Sequence, residues 1–245
     1  RALTYFATFS VDLEIGALRK HEFGEFKDPA EKNQVRKFAR KYGRYNKLLT
    51  PMSKYYASEM SMRVANDTIA VMGGSGYMKD YPAERHLRDS RITTIYEGTS
   101  QLQVIAAVAG VVSGTCATVL EELLEKPTTT DAWGPEIAPL IEQIREGVAI
   151  MGECVEFTKS QLGQYKDLVA RKLVDIAIVL IVAVLFCDHA ASDQDDWGRK
   201  KLTVAKHWLA WKMPCCHMLA EQILSGNAEI INEFETLAGP VPVVE

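Results

Sequence analysis

No segment of this 245-residue sequence alternates apolar and polar residues as a half-buried strand does, and no repeat or low-complexity tract runs through it. Cationic charge is not in excess either. Lys and Arg number 28 against 32 Asp and Glu, a formal net charge of −4 that leaves no electrostatic footprint for a nucleic acid. The five cysteines (Cys116, Cys154, Cys187, Cys215 and Cys216) contain no CxxC pair. An odd count without a signal peptide favours reduced thiols in a cytosol-like compartment. Cys187, His189, Cys215, Cys216 and His217 fit no standard metal spacing, so core packing is the expectation for them and no metal is assigned. The longest apolar run, residues 173–187, is interrupted by Asp175 and falls short of the roughly 20 residues needed to span a bilayer. It is expected to be a buried core helix rather than a membrane contact. Gly73-Gly74-Ser75-Gly76 lacks the GxGxxG spacing and follows no strand, which excludes a dinucleotide fold of that type.

What remains reads as helix almost throughout: 47% of residues are hydrophobic and 24% charged, as in an ordinary globular protein. Residues 1–26 carry Leu3, Phe6, Phe9, Val11, Leu13 and Leu18 at helical spacing. The chain opens without a methionine on a segment that looks like the inside of a helix, so a piece of something longer is expected. Lys27-Asp28-Pro29 makes a break, and residues 32–47 form a basic, amphipathic segment read as a solvated helix face. Thr50-Pro51 is expected to open a third helix over 51–72, with Met52, Tyr55, Tyr56, Met60, Val64 and Ile69 facing inward and Gly73-Gly74 ending it. A short helical part follows around residues 83–89, then a fourth helix from Ser100 toward Glu125. Pro127-Thr128-Thr129-Thr130-Asp131 is the best linker candidate. Beyond it, helices are expected over about 135–162, 165–191 and 197–224, with Asp193-Gln194-Asp195-Asp196 between the last two, a short helix over 227–236 and a frayed tail from Gly239. The fold class is all-α, built of helical bundles, with domains expected at 1–126 and 127–245.

Chemistry concentrates between residues 73 and 101. Asp80, Glu84, Arg85, His86, Arg88 and Asp89 crowd one stretch, and a surface ion-pair network is the plain reading of most of them. Glu97 differs, because its neighbours Ile95, Tyr96 and Gly98 are uncharged. Burial there would raise its pKa toward neutrality, where a general base works best. The alternative for Glu97 alone is a helix-start carboxylate favoured by the macrodipole, since Thr99 and Ser100 are good N-caps.

The order Gly73-Gly74-Ser75-Gly76-Tyr77, Tyr81-Pro82-Ala83-Glu84-Arg85, Arg88-Asp89 and Ile95-Tyr96-Glu97-Gly98-Thr99-Ser100-Gln101 resembles the acyl-CoA dehydrogenase family. The likeness covers roughly residues 1–112, the latter part of that family's C-terminal helical bundle. Residues 113–245 resemble, much more weakly, the additional helical domain of larger members. The resemblance implies that Glu97 removes the α-proton of an acyl-CoA thioester while a hydride leaves Cβ for FAD. It implies that the Glu97 N–H holds the thioester oxygen, that Tyr96 and Gly98 line the acyl pocket, that Thr99 and Gln101 contact FAD, and that Gly73 and Gly74 approach the FAD of a neighbouring subunit. Arg88 and Asp89 would orient the loop. It also implies a homodimer or homotetramer, an electron-transfer flavoprotein as acceptor, an N-terminal region of the same protein, and a bacterial cytoplasm or mitochondrial matrix. A non-catalytic scaffold of the same fold and an enoyl-CoA reductase are the alternatives. Three positions depart from the pattern: Ala70 replaces a glutamine, and Val104 and Ala109 stand where arginines are frequent.

Overall fold

The computed structural model describes residues 1–128, 134–192 and 195–239. Among them every regular element is a helix. These are α1 (Ala2–Phe23), α2 (Pro29–Met72), α3 (Gly74–Tyr77), α4 (Ala83–Thr93), α5 (Ser100–Val112), α6 (Thr115–Thr128), α7 (Gly134–Ser160), α8 (Gly163–Ala191), α9 (Asp196–Leu224), α10 (Glu229–Asn232) and α11 (Phe234–Ala238). The all-α class is as expected.

The backbone of the architecture is α2, a single helix of 44 residues, about 66 Å long at 1.5 Å per residue. Asp28 caps it by accepting the Ala30 N–H at 2.8 Å, and Pro29 occupies the first turn, where a missing donor is harmless. Pro51 does not open a new helix. It lies inside α2, between Leu48 and Leu49 on one side and Met52 on the other, all three with no exposed surface. Burial of that face outweighs the hydrogen bond a mid-helix proline forfeits. The expected inward stripe holds at Met52 and Tyr55 but fails at Val64, which is 58% exposed. In α1, Leu3 is buried while Phe9 and Leu18 face outward.

The predicted continuous helix from Ser100 is broken at Ser113-Gly114, where Gly114 adopts φ +86 and α6 departs from α5 at 70°. Turning there lets both helices reach the same core: Val104, Ala107, Val108 and Val111 of α5, and Cys116, Val119 and Leu120 of α6, are all buried. Of the expected linker, α6 runs on through Thr128, and residues 129–131 lie outside the described residues, as do 193–194 and the tail from 240.

Helix α8 runs through the centre. Residues 176–185 are buried without exception, as expected for a core helix. No single helix among the described residues is long and apolar enough to cross a membrane, and the bent α5–α6 pair alone meets that test by length and composition. Polar side chains tie α8 to its neighbours. Trp208 Nε1 of α9 donates to the Val179 carbonyl at 3.0 Å, and Tyr165 Oη donates to the Ile223 carbonyl at 2.5 Å. The Tyr55 hydroxyl of α2 donates to Asp175 Oδ1 at 2.9 Å, with the Arg171 guanidinium 5.2 Å from the Tyr55 ring centroid. Four cysteines pack inside as expected, and burial pushes Cys116, Cys187 and Cys216 up to about 12 and Cys154 up to about 11. Cys215 is the exception and is exposed, as is His217.

Burial raises the Asp175 pKa above the usual carboxylate value, against the opposing pull of Tyr55 and Arg171. The folded state therefore holds this proton more tightly than the unfolded chain. The contribution of Asp175 to stability is greatest below the unfolded value, about pH 4, and falls as pH rises through the raised native value. Asp175→Asn keeps an oxygen for the Tyr55 hydroxyl and removes the titration. Thermal melts from about pH 4 to pH 7 should show a flatter dependence in the variant than in the parent. Parallel curves would mean that burial at Asp175 carries no such cost.

Candidate active site

The loop between α4 and α5 is held from below by α2. Lys54 Nζ donates to the Thr93 carbonyl, Ser61 Oγ lies 3.3 Å from Thr93 Oγ1, and Glu59 Oε1 accepts the Ser100 hydroxyl at 2.5 Å. The loop also closes on itself. Thr94 is buried; its hydroxyl donates to the Arg91 carbonyl at 2.9 Å and accepts from Arg91 Nη1 at 3.1 Å, while its carbonyl takes the Ser100 N–H at 3.0 Å. Residues 95–99 thus bulge outward from a pinned base.

At the top of that bulge Glu97 has φ +55, the one non-glycine residue with positive φ among those described. A left-handed glutamate costs about 1 kcal/mol or more and persists only where its surroundings dictate it. Here the surroundings are Gln103, whose Nε2 reaches back from the first turn of α5 to donate to the Glu97 carbonyl at 3.0 Å. Gly98 follows at φ +96. A Cβ there would stand 2.9 Å from Gln103 Nε2, so glycine is needed both for the backbone angle and for the clamp. Thr99 then caps α5, accepting the Leu102 N–H at 3.4 Å. Glu97 sits two residues before the cap, outside the first turn of α5.

The second glycine cluster ends α2. Gly73 has φ +60 and donates its N–H to the Ala70 carbonyl at 3.2 Å; neither Gly73 nor Gly74 has anything within 4 Å of where a Cβ would be, so both present open backbone. Gly76 is the glycine that packing requires, since its Cβ would meet the Ile69 carbonyl at 2.8 Å.

Of the seven residues expected at the site, Tyr96, Glu97, Gly98, Thr99 and Gln101 are consecutive or nearly so on one bulge and cap, and Gly73 and Gly74 lie at the α2 terminus. The burial expected around Glu97 is not supplied by this chain. Glu97, Thr99 and Gln101 are exposed, Tyr96 is 63% exposed, and only Gly98 is half-buried. What sets Glu97 apart is its backbone, not its desolvation. Nor is there an ion-pair network among Asp80, Glu84, Arg85, His86, Arg88 and Asp89: none of these six makes a salt bridge within the described residues. Val104 explains one departure from the family pattern, being completely buried where α5 packs on α2 and α8, so that a guanidinium there would be desolvated. The supporting residues Lys54, Glu59 and Gln103 carried no signal in the sequence. Glu59 and Ser100 are 41 residues apart, and a glutamine six positions after a glutamate belongs to no local spacing rule.

Comparison with known proteins gives a family match that spans this stretch. Residues 32–112 match the family model of the acyl-CoA dehydrogenase C-terminal domain. The cyclohexane-1-carbonyl-CoA dehydrogenase of Geobacter metallireducens is 48% identical over 61 residues, which is 25% of this chain and 16% of the relative. The acyl-CoA dehydrogenase of Bacillus subtilis is 45% identical over 64 residues, 26% of this chain and 17% of the relative. The mitochondrial short-chain specific acyl-CoA dehydrogenase of Bos taurus is 51% identical over 59 residues, 24% of this chain and 14% of the relative. The matched stretch is thus about a sixth of each relative's length. What the comparisons show is therefore a similarity over residues 32–112, the stretch with the pinned bulge that carries Glu97, to the C-terminal domain of acyl-CoA dehydrogenases.

Proposed function

We propose that this chain is the helical part of a flavin-dependent acyl-CoA dehydrogenase, and that Glu97 is the base that takes the α-proton from an acyl-CoA thioester. The observation that carries this reading is the left-handed Glu97, clamped through its carbonyl by Gln103 and followed by a glycine at φ +96 that leaves room for that clamp. Strain of this kind is retained where a side chain must be aimed. The carboxylate accepts the proton, and the Glu97 N–H offers a donor for the thioester oxygen, which acidifies the α-carbon. Tyr96 and Gly98 contribute one wall of an acyl pocket. Exposed Ile92, Ile95, Tyr96 and Leu102 around the bulge are in keeping with a pocket whose other walls lie on another surface.

The residues present also fit FAD in part. Open backbone at Gly73 and Gly74 tolerates close approach of a dinucleotide, and Thr99 and Gln101 stand at the N-terminus of a 13-residue helix, where phosphate is favoured. Ala70, exposed and apolar, offers no side-chain hydrogen bond. When bound, FAD supplies the acceptor for the hydride that leaves Cβ. An electron-transfer flavoprotein as the onward acceptor, a homo-oligomeric assembly and a reducing compartment complete the reading.

The test is the visible spectrum of the protein isolated from its native source, titrated with straight-chain, branched, aromatic and alicyclic acyl-CoA thioesters. A flavin band that bleaches with one class supports the dehydrogenase and identifies its substrate. Absence of flavin from the native assembly, with no thioester-dependent reduction, points instead to a helical scaffold.

A further inference from the structure

A wide groove lies away from Glu97 and is lined by none of the seven residues assigned above. It has a volume of about 1080 Å³ and runs between α2, α4, α8 and α9. Five cations enter it from four different helices: Arg63, Arg88, Arg91, Arg171 and Lys212. Its carboxylates are three, Glu59, Glu84 and Asp175, and two of these are already engaged within the fold. Glu59 accepts the Ser100 hydroxyl and lies 4.0 Å from Arg171, while Asp175 accepts the Tyr55 hydroxyl. Arg91 is held by Thr94. Arg63, Arg88 and Lys212 form no salt bridge among the described residues. Apolar surface fills the remaining wall, from Tyr56, Ile69, Leu87, Val179 and Leu219.

Like charges gathered on one concave surface repel each other unless a counter-charge joins them, and low-dielectric walls strengthen the attraction for that counter-charge. Guanidinium groups match the oxygens of a phosphate, and three cations without salt bridges among the described residues suit a dianion better than a carboxylate. The groove is of the size that encloses a whole small ligand rather than a single ion. We propose that this groove binds a soluble phosphate monoester with an apolar body, its phosphate held by Arg63, Arg88 and Lys212 and its body against the apolar wall.

Cys215 makes the proposal measurable. It is the exposed member of the five cysteines, and it lines this groove. In the 245-residue chain, n-octyl phosphate should bind with one-to-one stoichiometry by calorimetry and should slow the reaction of Cys215 with a neutral maleimide. Inorganic phosphate and octanol, each supplying half of the ligand, should bind at least about tenfold more weakly. Octanoate, a monoanion, should also bind more weakly. The double variant Arg63→Gln, Lys212→Gln should lose affinity for octyl phosphate by at least about tenfold. Cys215→Phe alters no charge and fills the groove at an exposed position, so it should abolish binding while leaving the circular dichroism unchanged. Absence of heat and of thiol protection with octyl phosphate would overturn the proposal, as would affinity unchanged in both variants. Cation-dependent binding to phosphatidylcholine vesicles carrying phosphatidic acid, without binding of octyl phosphate, would overturn it too and assign these cations to a membrane surface.

Discussion

In the flavin-loaded enzyme, Glu97→Gln is expected to lower turnover by about 10²–10⁴-fold, the usual contribution of a positioned general base. FAD content and acyl-CoA affinity should change little. The amide is nearly isosteric, and the backbone that presents it is set by Gln103 through the carbonyl of residue 97, not through its side chain. The variant therefore separates chemistry from architecture. Stopped-flow reduction of the flavin by a thioester is the direct measurement, with thioester binding followed separately. Turnover within a few-fold of the parent would remove Glu97 as the base and leave the left-handed bulge without its proposed purpose. Glu97 is exposed within this chain, so the proposed role requires a working environment supplied from outside it. The pH dependence of flavin reduction should accordingly lose its base-dependent rise in the variant.

The largest effect on stability is expected from Leu180→Ala. Leu180 has no exposed surface and sits in the uninterrupted buried stretch of α8. Its Cδ2 stands 2.5 Å from where a Cβ on Gly147 of α7 would be, and the same glycine faces Met213 Cε of α9 at 2.9 Å. Three helices meet at this point, brought together by a glycine that has no side chain to interpose. Truncation removes the group that fills the junction, and helices already in close approach have little room to collapse into the space. A loss of about 2–5 kcal/mol follows from burial plus the residual cavity. Chemical denaturation of the 245-residue chain, monitored by circular dichroism, measures it. A loss well under 1 kcal/mol would mean that α7 and α9 close over the void.

Reading in a local window worked where a local cause governs the outcome. Helical periodicity is such a cause, and it located α1, α7, α8 and α9 within a few residues. The stop at Gly73 followed from the glycine that takes a positive φ there. Pro51 misled for the complementary reason. Its local preference for a helix start is real, but the buried faces of Leu48, Leu49 and Met52 on either side keep α2 continuous. The break at Ser113-Gly114 was not read from the sequence, because the apolar run through it hid the bend that brings α6 onto the shared core.

The sequence by itself determined that the chain is helical and where α1, α2, α7, α8 and α9 stop, because each of these rests on residue type and short spacing. Only the tertiary structure decided the geometry of residues 95–99. The left-handed Glu97, its Gln103 clamp, the Glu59–Ser100 tie, the Tyr55–Asp175 contact 120 residues apart and the meeting of five cations in one groove all depend on which helix packs beside which. That choice is made by burial summed over whole helix faces, and no short window of residues contains it.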